Sequence, residues 1–120
     1  MEAHQPTGGS ASANLSTAAV RLLREYTGRG PTKAKTIIND TVVTILLADT
    51  LTKGERKLVE NGGAERVLGL RHDFQIAMRE DLIALVEGEL GRNVIAFMSQ
   101  NHIDPDLAAE VFVLEPLPAA

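Results

Sequence analysis

The segment from Gly28 to Lys35 combines glycines with closely spaced cationic side chains. Glycines let backbone amides converge on an anion, and the cations would attract it, so the segment is a candidate site for a small anion or a nucleotide. The residues of this candidate site are Arg24, Gly28, Arg29, Gly30, Lys33 and Lys35. It is not a Walker A loop, because the glycine spacing differs and no Gly-Lys-Ser or Gly-Lys-Thr opens a helix. A helix end followed by a solvated basic strand explains the same residues.

Potential metal ligands occur at alternate positions in a later connection, where His102, Asp104 and Asp106 could face a hard cation. The other histidines, His4 and His72, have no spacing typical of a zinc site. A turn shaped by Asp-Pro-Asp explains the connection without a metal. We therefore predict no metal and no cofactor, and keep His102, Asp104 and Asp106 as the candidate ligands to check.

Nucleophilic catalysis has no support in the residue pattern. The chain has no cysteine, and Ser16 and Ser99 lack a recognisable elbow or partner. Neighbouring carboxylates such as Glu80 and Asp81 are typical of a solvated helix face. The sequence predicts a protein that is not an enzyme.

The first half of the chain predicts a helix followed by a hairpin. Apolar residues recur at helical spacing from Leu15 to Thr27, and Gly28 can provide a left-handed stop. The β-branched segments Thr36 to Ile38 and Thr41 to Ala48 flank an Asn39-Asp40 turn, which is typical of a hairpin.

The second strand of this hairpin is apolar on both faces, whereas a half-exposed strand would alternate with polar residues. The two sets of side chains are Val42 with Leu46, and Val43 with Ile45 and Leu47. The sheet therefore needs a cover on both sides, and we expect a homodimer to provide it.

The middle of the chain predicts two helices. Thr52 and Glu55 have capping-box spacing, so a short helix should end near Glu60. A second helix from Ala64 to Leu90 would be ~40 Å long, against about 17 to 20 Å for a typical strand, so its overhang should contact a partner. Its predicted core stripe is Val67, Leu70, Phe74, Ala77, Met78, Leu82, Leu85 and Val86. Arg71 and His72 are interpreted as surface or boundary residues.

The last third predicts a second strand pair, Val94 to Ser99 and Ala108 to Glu115. The order α-ββ-α(α)-ββ predicts a single α+β domain over residues 14–116, with helices packed on a four-stranded, mainly antiparallel sheet. Residues 1–13 are predicted to form a flexible N-terminal tail, and residues 117–120 a short C-terminal tail.

Composition narrows the possible partners. The chain has 120 residues, 44% of them apolar, and a net charge of −4 with both signs mixed, so we expect no nucleic-acid partner. No apolar run approaches the roughly 20 residues that cross a bilayer, so we expect no direct membrane insertion. The start shows no secretory signal, and the lack of cysteine is typical of a reducing compartment, so we expect a cytoplasmic location.

Five segments together resemble the MpsC-like family of bacterial domains, over Tyr26 to Leu114. They are GRGPTKAKT (28–36), LTKGERKLVENG (51–62), FQIAMREDLIALVE (74–87), GRNVIAF (91–97) and HIDPDLAAEVFVL (102–114). The family is named after the soluble third component of a Na⁺-translocating, membrane-potential-generating system linked to ion transport and inorganic-carbon uptake. The resemblance implies a soluble accessory domain, with no catalytic residues to carry over.

The leading functional expectation is a non-enzymatic accessory or regulatory domain that contacts a membrane-protein partner of such a transport system. The alternative is a sensor that binds a small anion or a nucleotide at the basic turn from Gly28 to Lys35.

Overall fold

Three helices and four strands make up residues 8–29 and 33–118, the part of the chain that the computed structural model describes. In chain order they are α1 (Gly8–Thr27), β1 (Lys33–Asn39), β2 (Val42–Ala48), α2 (Lys53–Glu60), α3 (Ala64–Leu90), β3 (Val94–His102) and β4 (Leu107–Leu114). This order confirms the predicted α+β class and the order α-ββ-αα-ββ.

The four strands form one sheet in the order β1-β2-β4-β3, and every neighbouring pair is antiparallel. Asp40 and Thr41 link β1 to β2, with Asp40 in the left-handed region at φ 54°. Asp tolerates this conformation better than most residues, which is why the Asn-Asp pair predicted the hairpin. β3 carries a register shift between Val94 and Ala96, and its pairing with β4 is regular from there to His102.

The core lies between the sheet and the layer formed by α1 and α3, which also contact each other. Alternate residues of β2 face this layer, and Val43, Ile45 and Leu47 are at most 4% exposed. The fully buried core cluster is Leu15, Ala19, Leu23, Val43, Ile45, Leu47, Met78, Leu82, Val86, Ala108, Phe112 and Leu114. Helices cover one face of the sheet in the described part of the chain.

Helix α1 begins at Gly8, so residues 8–13 are helical and the prediction that they belong to a flexible tail is wrong. The physical reason is Ala11, which is 2% exposed and extends the buried stripe of Leu15 and Ala19 by one turn. Residues 1–7 and 119–120 of the two predicted tails lie outside the described residues.

Several boundaries also differ from the prediction. β1 begins at Lys33 rather than Thr36, and β3 continues to His102 rather than Ser99. The polar residues after Ser99 pair with β4, because backbone hydrogen bonds do not depend on apolar side chains.

The caps of α2 and α3 follow the sequence signals. Thr52 and Glu55 form the predicted capping box, in which each side chain accepts a backbone N–H of the other residue. Gly91 ends α3 in the left-handed conformation at φ 64°. Among the described residues, no helix combines the length and the apolar character that crossing a membrane requires.

Candidate functional site

The basic turn begins where α1 ends. Gly28 has a φ of 79°, and its N–H donates to the Arg24 carbonyl at 2.8 Å. The Arg29 guanidinium Nη2 lies 2.6 Å from Asp49 Oδ2, in an ion pair with both side chains about one-third exposed. Gly30, the other predicted glycine of this site, lies outside the described residues.

The remaining cations of the predicted site point elsewhere. Lys33 and Lys35 are exposed and alternate along β1 with Ala34 and Thr36, the side that faces α1. Thr36 marks that side, because its hydroxyl hydrogen-bonds to Ser16 of α1 at 2.8 Å. Lys33 and Lys35 therefore lie on the sheet face opposite α1.

Arg24 is exposed on α1 itself. Arg24 is thus separated from Lys33 and Lys35, which lie on the opposite face of the sheet. Arg29 is paired with a carboxylate. The anion site stays a prediction, and any anion at Arg29 would compete with Asp49.

Asp49 belongs to a cluster of two carboxylates and two guanidinium groups at one end of the sheet. Arg56 of α2 donates to both Asp49 and Asp106, the latter at 3.2 Å. Asp106 also accepts from the Thr50 hydroxyl and the Leu51 N–H, each at 2.9 Å. These contacts tie α2 and the end of β2 to the start of β4.

The same contacts decide the geometry of the candidate metal ligands. Asp106 faces Thr50 and Arg56, whereas the exposed His102 has its Nδ1 2.7 Å from the Pro105 carbonyl oxygen. Asp104 is exposed in the turn between β3 and β4. Within the residues that the structure describes, no three His, Cys, Asp or Glu side chains come together as a metal-binding group.

A buried polar cluster, which the sequence analysis missed, lies between α3 and the sheet. Arg71 is 3% exposed and Gln75 is 7% exposed, although both occupy helix positions beside the predicted apolar stripe. The interpretation of Arg71 as a surface or boundary residue is therefore wrong. Arg71 can be buried because its guanidinium donates to Glu55, a buried carboxylate on α2.

Glu110 of β4 extends this cluster into the sheet and is 2% exposed. Burial raises the pKa of Glu110 to about 7, although the Ser99 hydroxyl bound to its carboxylate and the positive charge of Arg71 both oppose the rise. Glu110 lies on the same face of β4 as Phe112 and Leu114, which face the core. One signal in the sequence could have identified Glu110. It is a carboxylate on a strand face whose other residues, two positions away, are apolar.

Arg71, Gln75 and Glu110 line a cavity of about 20 Å³, together with apolar side chains. That volume holds about one water molecule. The Gln75 amide nitrogen is buried and has no hydrogen-bond partner within the described part of the chain. The cluster can therefore hold a proton and a small polar molecule, and it has no room for an organic substrate.

The largest unexplained feature is the sheet face opposite the helices, here called the open face. Its centre is apolar, with Ile37 49%, Leu46 37% and Met98 54% exposed. In register, Ile37, Thr44, Val111 and Met98 form one row across the four strands. The side chains of the open face are Lys33, Lys35, Ile37, Asn39, Val42, Thr44, Leu46, Ala48, Ala96, Met98, Gln100, His102, Leu107, Ala109, Val111 and Val113.

Comparison with known proteins identifies a family. A family model described as "Na+-translocating membrane potential-generating system (MpsC)" matches residues 7–116. No curated protein and no solved structure matches the chain. The match includes every described helix and strand from Gly8 to Leu114, and it agrees with the resemblance seen in the sequence. The chain belongs to the MpsC family.

Proposed function

We propose that this chain is a non-enzymatic accessory subunit that acts through protein–protein contacts. The observation that carries the proposal is the open face, an apolar surface of four strands that no helix of the described chain covers. Exposed apolar surfaces of this size on soluble domains are commonly interaction sites.

The occupant of the open face is a second copy of the chain. Four strands at a spacing of about 4.8 Å and a length of roughly seven residues make a flat area of roughly 450 Å², and side-chain relief increases it. Stable dimers bury about 800 Å² per partner, and two-fold pairs are the commonest assemblies. The flat area of the open face is a little over half of that figure, so a face-to-face dimer also has to bury side-chain relief and surface around the sheet.

The charges of the open face also allow self-association. Its lysines, Lys33 and Lys35, both lie on β1 at one margin. A two-fold axis parallel to the strands places β1 over β3 of the partner, where the open-face residues are Ala96, Met98, Gln100 and His102. The lysines of one copy then lie away from those of the other.

The family supplies the setting. Its description names a Na⁺-translocating system that generates a membrane potential. We infer that this chain serves as an accessory component of such a system in the cytoplasm, and that it reaches the membrane through a protein partner. The buried cluster of Arg71, Gln75 and Glu110 stabilises the fold in this proposal and performs no reaction.

Sedimentation velocity at micromolar concentration tests the self-association. We expect a dimer for the wild type and a monomer for Leu46→Glu, because the interface would take a carboxylate at the centre of the open face out of water. Leu46 pairs in register with Lys35, so the new carboxylate has a cation beside it and the monomer should stay folded.

The matched control is Leu70→Glu, which makes the same change on α3, on the other side of the sheet. Leu70 is 44% exposed, although the sequence predicted it in the core stripe of this helix. It should remain dimeric. A wild type that sediments as a monomer, or a Leu70→Glu variant that dissociates as fully as Leu46→Glu, would contradict the proposal.

A further inference from the structure

The two edges of the sheet differ in how they are protected. β1 carries Lys33 and Lys35, and charged residues on an edge strand oppose pairing with another chain. β3 contains no Asp, Glu, Lys or Arg from Val94 to His102. Its register shift lies at its first residues, which leaves Ala96 to His102 as a regular, uncharged edge. In the described part of the chain, β4 is the strand that pairs with it.

A groove of about 180 Å³ follows the free edge of β3, between that strand and α3. Phe97 and Ser99 form its floor, and both point toward the helix layer. Each is only half-buried, since no strand of the described chain lies beyond β3. Ile76 of α3 forms the wall and is 61% exposed.

The groove lies where the inward side chains of a fifth strand would pack. A strand added to β3 would use the free backbone groups of the edge, and its alternate side chains would point toward the helix layer. Those side chains would enter the groove, where they would cover Phe97 and contact Ile76. The groove and the unprotected edge thus fit one occupant, an extended segment.

The charges of the groove define the chemistry of that segment. Its ionisable side chains are Arg79 and His72, so it contains a permanent cation and no carboxylate. The Arg79 guanidinium lies 6.0 Å from the centre of the Phe97 ring, at the position where an incoming side chain would enter. A second copy pairing through its own β3 would bring another Arg79 and His72 to the same place, which opposes this occupant.

We propose that β3 and the groove beside it bind an extended, apolar segment of a partner protein, which carries an Asp or Glu opposite Arg79 and adds to the sheet as a fifth strand. This inference deepens the proposed accessory role and rests on it. It assigns the partner-binding surface to the edge of β3, separate from the open face that joins two copies.

Selection from a phage-displayed library of random linear 12-residue peptides tests the inference. We expect the enriched peptides to alternate aliphatic residues with other residues and to contain Asp or Glu. Amide chemical shifts of the wild type should then change from Ala96 to His102 on addition of a synthetic copy of one peptide. Failure to enrich any peptide, or shifts confined to other elements, would overturn the inference.

Fluorescence anisotropy with that peptide measures the role of the charge. Arg79→Glu should weaken binding at least tenfold, and exchanging the peptide's acidic residue for Lys should restore it. Arg66→Glu removes an exposed arginine of the same helix and should change the affinity less than twofold. Methylation of the alternate peptide nitrogens that face β3 should abolish binding, because it removes the strand hydrogen bonds. Equal affinities of Arg79→Glu and the wild type would exclude this groove.

Measurement of the same peptide on Leu46→Glu separates the two proposals. Equal affinity for this variant and the wild type, with the oligomeric state unchanged on peptide addition, supports the β3 edge as a surface separate from the open face. A peptide that dissociates wild-type dimers would show that a second copy occupies the edge, which overturns this inference and leaves self-association standing. A monomeric wild type would contradict the proposed dimer, while the Arg79→Glu comparison would still decide the inference.

Discussion

Arg71 of α3 and Glu55 of α2 form an ion pair, with 3.5 Å between Nη1 and Oε1, inside the protein rather than on its surface. The side chains are 3% and 6% exposed. The same Glu55 oxygen accepts the Thr52 N–H at 2.7 Å in the capping box of α2. The Glu55 carboxylate therefore caps the start of α2 and links α2 to α3.

Replacement of Arg71 should be severely destabilising. Arg71→Met leaves Glu55 buried without its cation, so the free energy of unfolding should fall by about 3 to 5 kcal/mol, measured by urea denaturation at pH 7. The double variant Arg71→Met with Glu55→Gln should recover part of that loss, because neither residue of the pair then buries an unpaired charge. Arg66→Met, at an exposed site of the same helix, is the control and should lie within about 0.5 kcal/mol of the wild type. A stable Arg71→Met protein would contradict the structural role of the pair.

Glu110 should make the protein less stable as pH rises. Its pKa is raised to about 7 from an ordinary 4.5, so the folded state binds more protons than the unfolded state between these values. The contribution of the neutral carboxyl is fully present below about pH 4.5 and is lost as pH rises through about 7. The total change is about 3 kcal/mol.

Glu110→Gln should remove this dependence, because the amide does not ionise and its oxygen can still accept from Ser99. Urea denaturation at pH 5, 6, 7 and 8 measures the free energy of unfolding of both proteins. The value for the variant should rise relative to that of the wild type as pH rises. A constant difference across this range would mean that Glu110 titrates normally in the folded protein.

Two glycines should respond to alanine in opposite directions. A Cβ at Gly63 would lie 2.8 Å from the Leu58 carbonyl oxygen, so Gly63→Ala must shift the turn between α2 and α3 and should lower the melting temperature. Gly69 lies inside α3, where a Cβ would meet no neighbouring group within 4 Å. Gly69→Ala should therefore stabilise the protein by about 0.5 to 1 kcal/mol through helix propensity. The reverse order of melting temperatures would contradict the packing of this turn.

The basic turn should bind anions weakly, because Asp49 already neutralises Arg29. Titration with phosphate to millimolar concentration should leave the amide shifts of Gly28 to Lys35 without saturation. Asp49→Asn removes the competing carboxylate, and it is the variant most able to reveal an anion site. Saturable shifts in the wild type would instead support the alternative function of an anion sensor.

Much of the fold could be predicted from local sequence signals. The Thr52-Glu55 capping box, the Gly91 stop and the Asn39-Asp40 turn each act over a few residues, and the structure contains each at its predicted place. The apolar character of β2 on both faces likewise predicted a sheet that needs a cover on both sides, and the helices of the described residues cover one of them.

The buried polar cluster could not be predicted in the same way. Arg71 and Gln75 occupy surface-like positions in the helical pattern, and only the packing of α2 and the sheet around α3 buries them. The candidate sites changed for the same reason. Arg29 has its own carboxylate partner, and Lys33 and Lys35 lie on the sheet face opposite α1, because strand alternation sends neighbouring side chains to opposite sides.

The sequence by itself determined the helices, the hairpins and the two apolar faces of β2, since backbone propensity and side-chain periodicity are local properties. Tertiary packing decides which charges meet and, among the described residues, which sheet face and which strand edge stay uncovered. Those outcomes depend on strand order and helix packing, which bring together residues far apart in the chain, such as Arg56 with Asp106.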